Sequence, residues 1–160
     1  EPFKPLTKDI TISQVDMNKA VVLITYRAMG DVDWQKCNFF FTLAELVSAT
    51  KLRLERGAGN TSYYPMVYWQ VIEFEGLNSV QRGTVSFQDG VSSKDITISQ
   101  VDMNKAVVLI NYRTNDNLTG YIDWFVVGAS LSNSTTLNLR RNSKGSSSYY
   151  PTVHWQVIEF

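Results

Sequence analysis

The chain has one cysteine, Cys37, and one histidine, His154, in 160 residues. A single cysteine excludes an intramolecular disulfide framework, and Cys37 reads as a small buried hydrophobe. A single histidine leaves little for a nucleophile, base and acid constellation or for a clustered metal site. Fifteen basic and fifteen acidic residues cancel, which removes the broad positive field that gives nucleic-acid binders most of their affinity. No apolar run is long enough to insert into a membrane. There is no Gly-rich phosphate loop and no basic patch interleaved with aromatics, so we expect neither a cofactor nor a nucleic-acid partner. No Met, basic n-region or apolar h-region opens the chain at Glu1, so we expect a processed product or a piece of something longer.

What is there is a repeat. Lys8–Ile24 (KDITISQVDMNKAVVLI) returns without a change at Lys94–Ile110, an offset of 86 residues. The offset holds for Tyr26-Arg27 with Tyr112-Arg113, for Tyr63-Tyr64-Pro65 with Tyr149-Tyr150-Pro151, and for Trp69–Phe74 with Trp155–Phe160. It slips by one where Leu52-x-Leu54-x-Arg56 meets Leu137-x-Leu139-x-Arg141. The period is longer than that of common solenoid repeats. We therefore expect two small domains in tandem, 1–76 and 77–160, and call them copy 1 and copy 2.

Apolar residues alternate with polar ones, as in Ile10 and Ile12 or Leu52 and Leu54, which is strand periodicity. In copy 2 the pattern predicts strands at Asp95–Val101, Lys105–Arg113, Tyr121–Ser132, Thr135–Arg141 and Thr152–Phe160, preceded by Gly83–Gln88. Leu43–Val47 is read as strand or loop, since its counterpart Gly128–Ser132 is a poor helix. The fold class expected is all-β: two tandem antiparallel β-sandwiches of about six strands each. The identical segment reads as one hairpin turning at Asp16–Lys19 and at Asp102–Lys105. Copy 2 is preceded by Ser79–Phe87 (SVQRGTVSF), a first strand with no counterpart before copy 1. Three readings stay open: the strand has been lost, Phe3–Leu6 substitutes for it, or another chain supplies it.

The closing strand places Val153, Trp155 and Val157 on a core face and His154, Gln156, Ile158 and Phe160 on the other. The identical segment is apolar on both faces. A sandwich this small hides only one of them, so the second is expected to pack on the sister copy or on symmetry mates, making an oligomer, most simply a trimer or closed ring.

His154 matches Tyr68, so it belongs to no shared catalytic site, and we expect no enzyme. The carboxylate pairs Asp16 with Glu73 and Asp102 with Glu159 cannot be placed in one cleft from sequence. Asp31-Val32-Asp33 lacks the Gly and distal Glu of a calcium loop. Asn60-Thr61-Ser62, Asn117-Leu118-Thr119 and Asn133-Ser134-Thr135 fit the glycosylation pattern, as chance allows in a chain rich in Asn, Ser and Thr. Aromatic and arginine side chains remain: Tyr26, Arg27, Trp34, Arg56 and Tyr63, answered by Tyr112, Arg113, Trp124, Arg141 and Tyr149. Sugar rings stack on aromatic faces while their hydroxyls bond to Arg, Asn and Asp, so these ten are the candidate ligand-binding residues. The alternative for each is a core or interface anchor.

SVQRGTVSF followed by KDITISQVDMNKAVVLINYR, a Leu-x-Leu-x-Arg strand and a terminal HWQVIEF resembles the repeated β-sandwich modules of bacteriophage and prophage tail, fibre and virion-surface proteins. The strand order, with a Gly-Thr-Val opening and a Trp in the last strand, also looks like the H-type lectin fold, whose members form trimers and bind sugars at protomer edges. The resemblance implies a non-enzymatic module on a virion surface, outside the cell. Its partners would be a host-surface glycan or protein and other virion subunits. A structural virion protein without a ligand and a secreted lectin are the alternatives.

Overall fold

The structure, a computed structural model, describes residues 2–29, 40–57, 64–114, 126–142 and 150–160. They form β1 (Thr7–Thr11), β2 (Ala20–Met29), β3 (Thr42–Ser48), β4 (Lys51–Arg56) and β5 (Tyr64–Glu73) in copy 1. Copy 2 contains β6 (Ser79–Ser86), β7 (Ser93–Thr97), β8 (Ala106–Thr114), β9 (Val127–Asn133), β10 (Thr136–Arg141) and β11 (Pro151–Glu159). The described residues are all-β, with antiparallel pairing throughout. The segment read as strand or loop at Leu43–Val47 is strand, inside β3. The first strand of copy 2, Ser79–Ser86, falls on the Ser79–Phe87 segment read as a first strand and is longer than the narrower Gly83–Gln88 expectation at its start.

Copy 2 has the sheets β7-β10-β9 and β6-β11-β8, and copy 1 has β1-β4-β3 and β2-β5. Strand alternation builds each core. Leu52 and Leu54 from β4 meet Ala20, Val22 and Val67, and Leu137 and Leu139 from β10 meet Val153, Trp155 and Val157. Burial of such side chains is the main stabilising term, about 1.5–3 kcal/mol for each fully buried Val or Leu.

The identical segment is not a hairpin. β1 pairs with β4 and β2 with β5, so the turn after β1 carries the chain from one sheet to the other. The physical reason is that Ile10 and Val22 reach the same core from opposite sheets, which a flat hairpin cannot arrange. The turn itself is well bonded: Asp16 accepts the Lys19 N–H on its carbonyl (3.0 Å) and the Asn18 N–H on Oδ1 (2.8 Å). Glu73 Oε2 accepts the Asp16 N–H at 3.0 Å, and Glu159 Oε1 does the same for Asp102 at 2.8 Å. The carboxylate pairs singled out in the sequence thus fasten a turn to the last strand of each copy.

Copy 1 has a single bridge where copy 2 has its first strand. Pro2 bridges Met66 where Ser86 pairs with Thr152, and the Phe3 N–H reaches Pro65 O (2.9 Å) as Phe87 reaches Pro151 O (3.0 Å). Phe3 and Phe87 are both buried. So Phe3 fills the core position that follows the strand in copy 2, and no strand among the described residues pairs with β5 on the side away from β2.

Candidate functional site

The outer face of β6-β11-β8 lies across the edges of copy 1. β2 and β3 each end a sheet, so alternate N–H and C=O groups on them face away from their paired strands. Gln156 Oε1 accepts the Val22 N–H (2.9 Å) and its Nε2 donates to Val22 O (2.8 Å). Asn111 does the same for Ala44, accepting at 2.8 Å and donating at 3.1 Å. Arg82 Nη2 donates to Ala20 O at 2.7 Å. All five backbone groups lie at buried positions, where an unpaired polar group is expensive.

His154 sits inside this junction, 2 % exposed. The Thr84 hydroxyl donates to Glu45 Oε2 (3.0 Å), leaving its lone pair for His154 Nδ1 at 3.2 Å; the same Glu45 oxygen is 3.8 Å from Nδ1. Burial, then the Arg82 charge, push the imidazole down to about 4, against a smaller upward pull from the Gly83 backbone. The ring is neutral at ordinary pH and belongs to the interface.

At one end of the junction aromatic rings gather. Phe41 stacks on Tyr112 with centroids 5.1 Å apart, and Tyr26 meets Phe41 edge-on at 6.1 Å. Beside them Arg113 Nε bonds Glu55 Oε2 across the two copies at 3.1 Å. Burial raises the Tyr26 phenol, with a further push from Tyr112, and burial also raises Tyr112. Both stay protonated, able to donate a hydrogen bond. Tyr26 is 36 % exposed, so one ring of the cluster remains in contact with solvent.

Of the ten candidate residues, this junction brings together Tyr26, Tyr112 and Arg113. Arg27 is exposed on β2 next to Tyr26. Arg56 and Arg141 are buried and hold the frame. Arg141 donates to Val91 O (2.8 Å) and Gln88 O (2.9 Å) while lying 5.2 Å over the Phe87 ring. Arg56 donates to Pro5 O at 3.1 Å and also to Lys4 O. Each arginine clamps the segment after the first strand, and burial lowers its guanidinium from the ordinary value. Trp34, Tyr63, Trp124 and Tyr149 lie outside the described residues, as do Asp31, Asp33 and Cys37. No group of three metal-ligating side chains occurs among the described residues.

Gln156, Asn111, Phe41 and Glu45 were not singled out by the sequence. A signal existed for Asn111, which replaces Thr25 in a strand that is otherwise the same in both copies from Ala20 to Arg27. His154 for Tyr68 is the matching change on the neighbouring strand. Gln156 has Gln70 as its counterpart, and identity conceals its role.

The same face on copy 1 is uncovered. Tyr68 is 50 % exposed and Leu23 37 %, and Gln70 and Thr25 are exposed too. On copy 2 the edge matching β2 is also bare: Val107 is 44 % exposed where its counterpart Val21 is 1 %. No family model, curated protein or solved structure matches the chain.

Proposed function

We propose that the chain is a non-enzymatic binding module of a phage or prophage virion, carried on a tail or fibre, that contacts a host-surface glycan or protein. The observation that carries this reading is the junction cluster of Tyr26, Phe41 and Tyr112 beside the Arg113–Glu55 pair. Sugar C–H faces stack on aromatic rings, and sugar hydroxyls bond to guanidinium, carboxylate and phenol groups. Both kinds of group meet here, contributed by two copies, which also fits ligand binding at the edge between sandwiches. Repeating the unit supports avidity, because a second linked site engages at a high effective concentration.

The test is adsorption of the purified chain to host cells together with a glycan array, comparing wild type with Tyr26→Ala. A hot-spot ring gives a loss of about tenfold or more in apparent affinity; unchanged binding by a folded variant overturns the reading.

A second reading, a structural virion protein without a ligand, is favoured by the bare outer face of copy 1 and the bare edge of copy 2. A head-to-tail contact with both surfaces left open propagates into a ring or filament. Under this reading a homo-oligomer, with a trimer the simplest ring, forms through further copies of the same junction, and Tyr26→Ala leaves its function intact.

A further inference from the structure

We propose that the open edge of β5 in copy 1 is a docking slot for one extended polypeptide strand of the β6 type, carrying a glycine against Trp69 and a glutamine two residues earlier against Ser13. Copy 2 supplies the template. There β6 pairs with β11 from Ser86 opposite Thr152 to Ser79 opposite Glu159. Shifted by the repeat offset, that register starts at Met66, where Pro2 already occupies the Ser86 position. It runs on to Glu73, and on the side of β5 away from β2 no strand among the described residues pairs with Trp69–Glu73.

Two features of the slot select its occupant. Gln81 binds both backbone groups of Ser99, accepting its N–H at 2.6 Å and donating to its carbonyl at 3.0 Å. The counterpart of Ser99 is Ser13, whose N–H and C=O have no partner among the described residues. Gly83 faces Trp155 so closely that a Cβ there would lie 2.7 Å from the indole ring. Trp69 is the counterpart of Trp155. A groove of about 290 Å³, lined by Thr11, Ile12, Ser13, Val15, Trp69 and Val71, lies where the glutamine would sit.

The backbone agrees. The Val22 N–H and C=O point to Gln156, away from β5. Val71, which pairs with Val22, therefore turns its own N–H and C=O to the other side, and Trp69 does likewise by alternation. These groups are a template for strand addition, in which main-chain bonds give affinity and side-chain pockets give selectivity.

Among the described residues there are two such acceptor edges, β5 and β11, and one donor of this pattern, β6. The donor is engaged by β11, so β5 takes its strand from another source.

A synthetic peptide with the sequence Leu77–Val85 tests this on the full chain, read by titration calorimetry and by amide exchange. The expected result is one peptide per chain with new protection at Trp69 and Val71. The same peptide with Gly83→Val does not bind, and with Gln81→Ala it binds several-fold more weakly. Absence of binding overturns the proposal. So does binding that is indifferent to Gly83→Val, or protection that appears on Val153–Glu159, which would mean the peptide had displaced β6.

Discussion

The side-chain amide of Gln156 and the backbone of Val22 exchange two hydrogen bonds, N–H to Oε1 at 2.9 Å and Nε2 to C=O at 2.8 Å. The amide does for an edge strand what a neighbouring peptide unit would do. Asn111 repeats the device on Ala44. Two sheet edges of copy 1 are thereby closed by side chains from copy 2, without extending either sheet.

Gln156→Ala leaves the Val22 N–H and C=O buried and unpaired, a destabilisation of about 2–4 kcal/mol. Urea denaturation measures it. Gln156→Glu does no better, since a carboxylate has no proton for the carbonyl and adds a buried charge. The same change at Gln70, which is exposed, shifts the midpoint little.

Stability depends on pH through His154. Its ordinary value is 6.5 and its folded value about 4, so between these the unfolded chain binds a proton that the folded chain refuses. Its contribution is fully present above about pH 6.5 and falls away as pH drops towards 4, by roughly 3 kcal/mol in all. Arg82 and Glu45 are the charged groups facing the ring. His154→Asn is expected to flatten the slope of unfolding free energy against pH in that window.

The two classes of arginine separate by stability. Arg141→Ala removes charge-assisted bonds to Gln88 and Val91, and Arg56→Ala those to Pro5 and Lys4. Each costs about 1.5–3 kcal/mol, the range for hydrogen bonds from a charged group to carbonyls at the protein surface. Arg27→Ala, at an exposed position, stays within about 0.5 kcal/mol of wild type. Thermal melts of the three variants give the comparison.

Tyr68 and Leu23 sit on the uncovered face of copy 1. If that face seats on the bare edge of another chain's copy 2, Tyr68→Asp and Leu23→Asp convert an oligomer to monomer while leaving the far-ultraviolet circular dichroism unchanged. Light scattering after size exclusion reads the mass. A wild-type chain that is monomeric at high concentration contradicts this use of the face.

The all-β class and most strands of copy 2 were legible, because period-two alternation through Leu137, Leu139, Val153, Trp155 and Val157 reports a half-buried strand directly. Pairing was less legible. Local sequence around Asp16–Lys19 looks like a hairpin, and only the long-range partners, β4 for β1 and β5 for β2, show that the turn changes sheets. The roles of Arg56 and Arg141 were hidden for a similar reason: an arginine ending a strand reads the same whether it meets solvent or a carbonyl some fifty residues away. The outer face of β11 was half legible: its mixed His154, Gln156 and Ile158 are all buried, but Gln156 repeats the exposed Gln70, so the repeat hides its bonds to Val22.

Amide hydrogen exchange at Val22 and Ala44 tests most directly whether the outer sheet of one copy closes the edges of the other. Both amides are predicted to exchange slowly in the wild-type chain, with Val22 released in Gln156→Ala and Ala44 in Asn111→Ala, each without release of the β4 amides of Leu52 and Leu54. Rapid exchange at Val22 and Ala44 in the intact protein would contradict the junction itself.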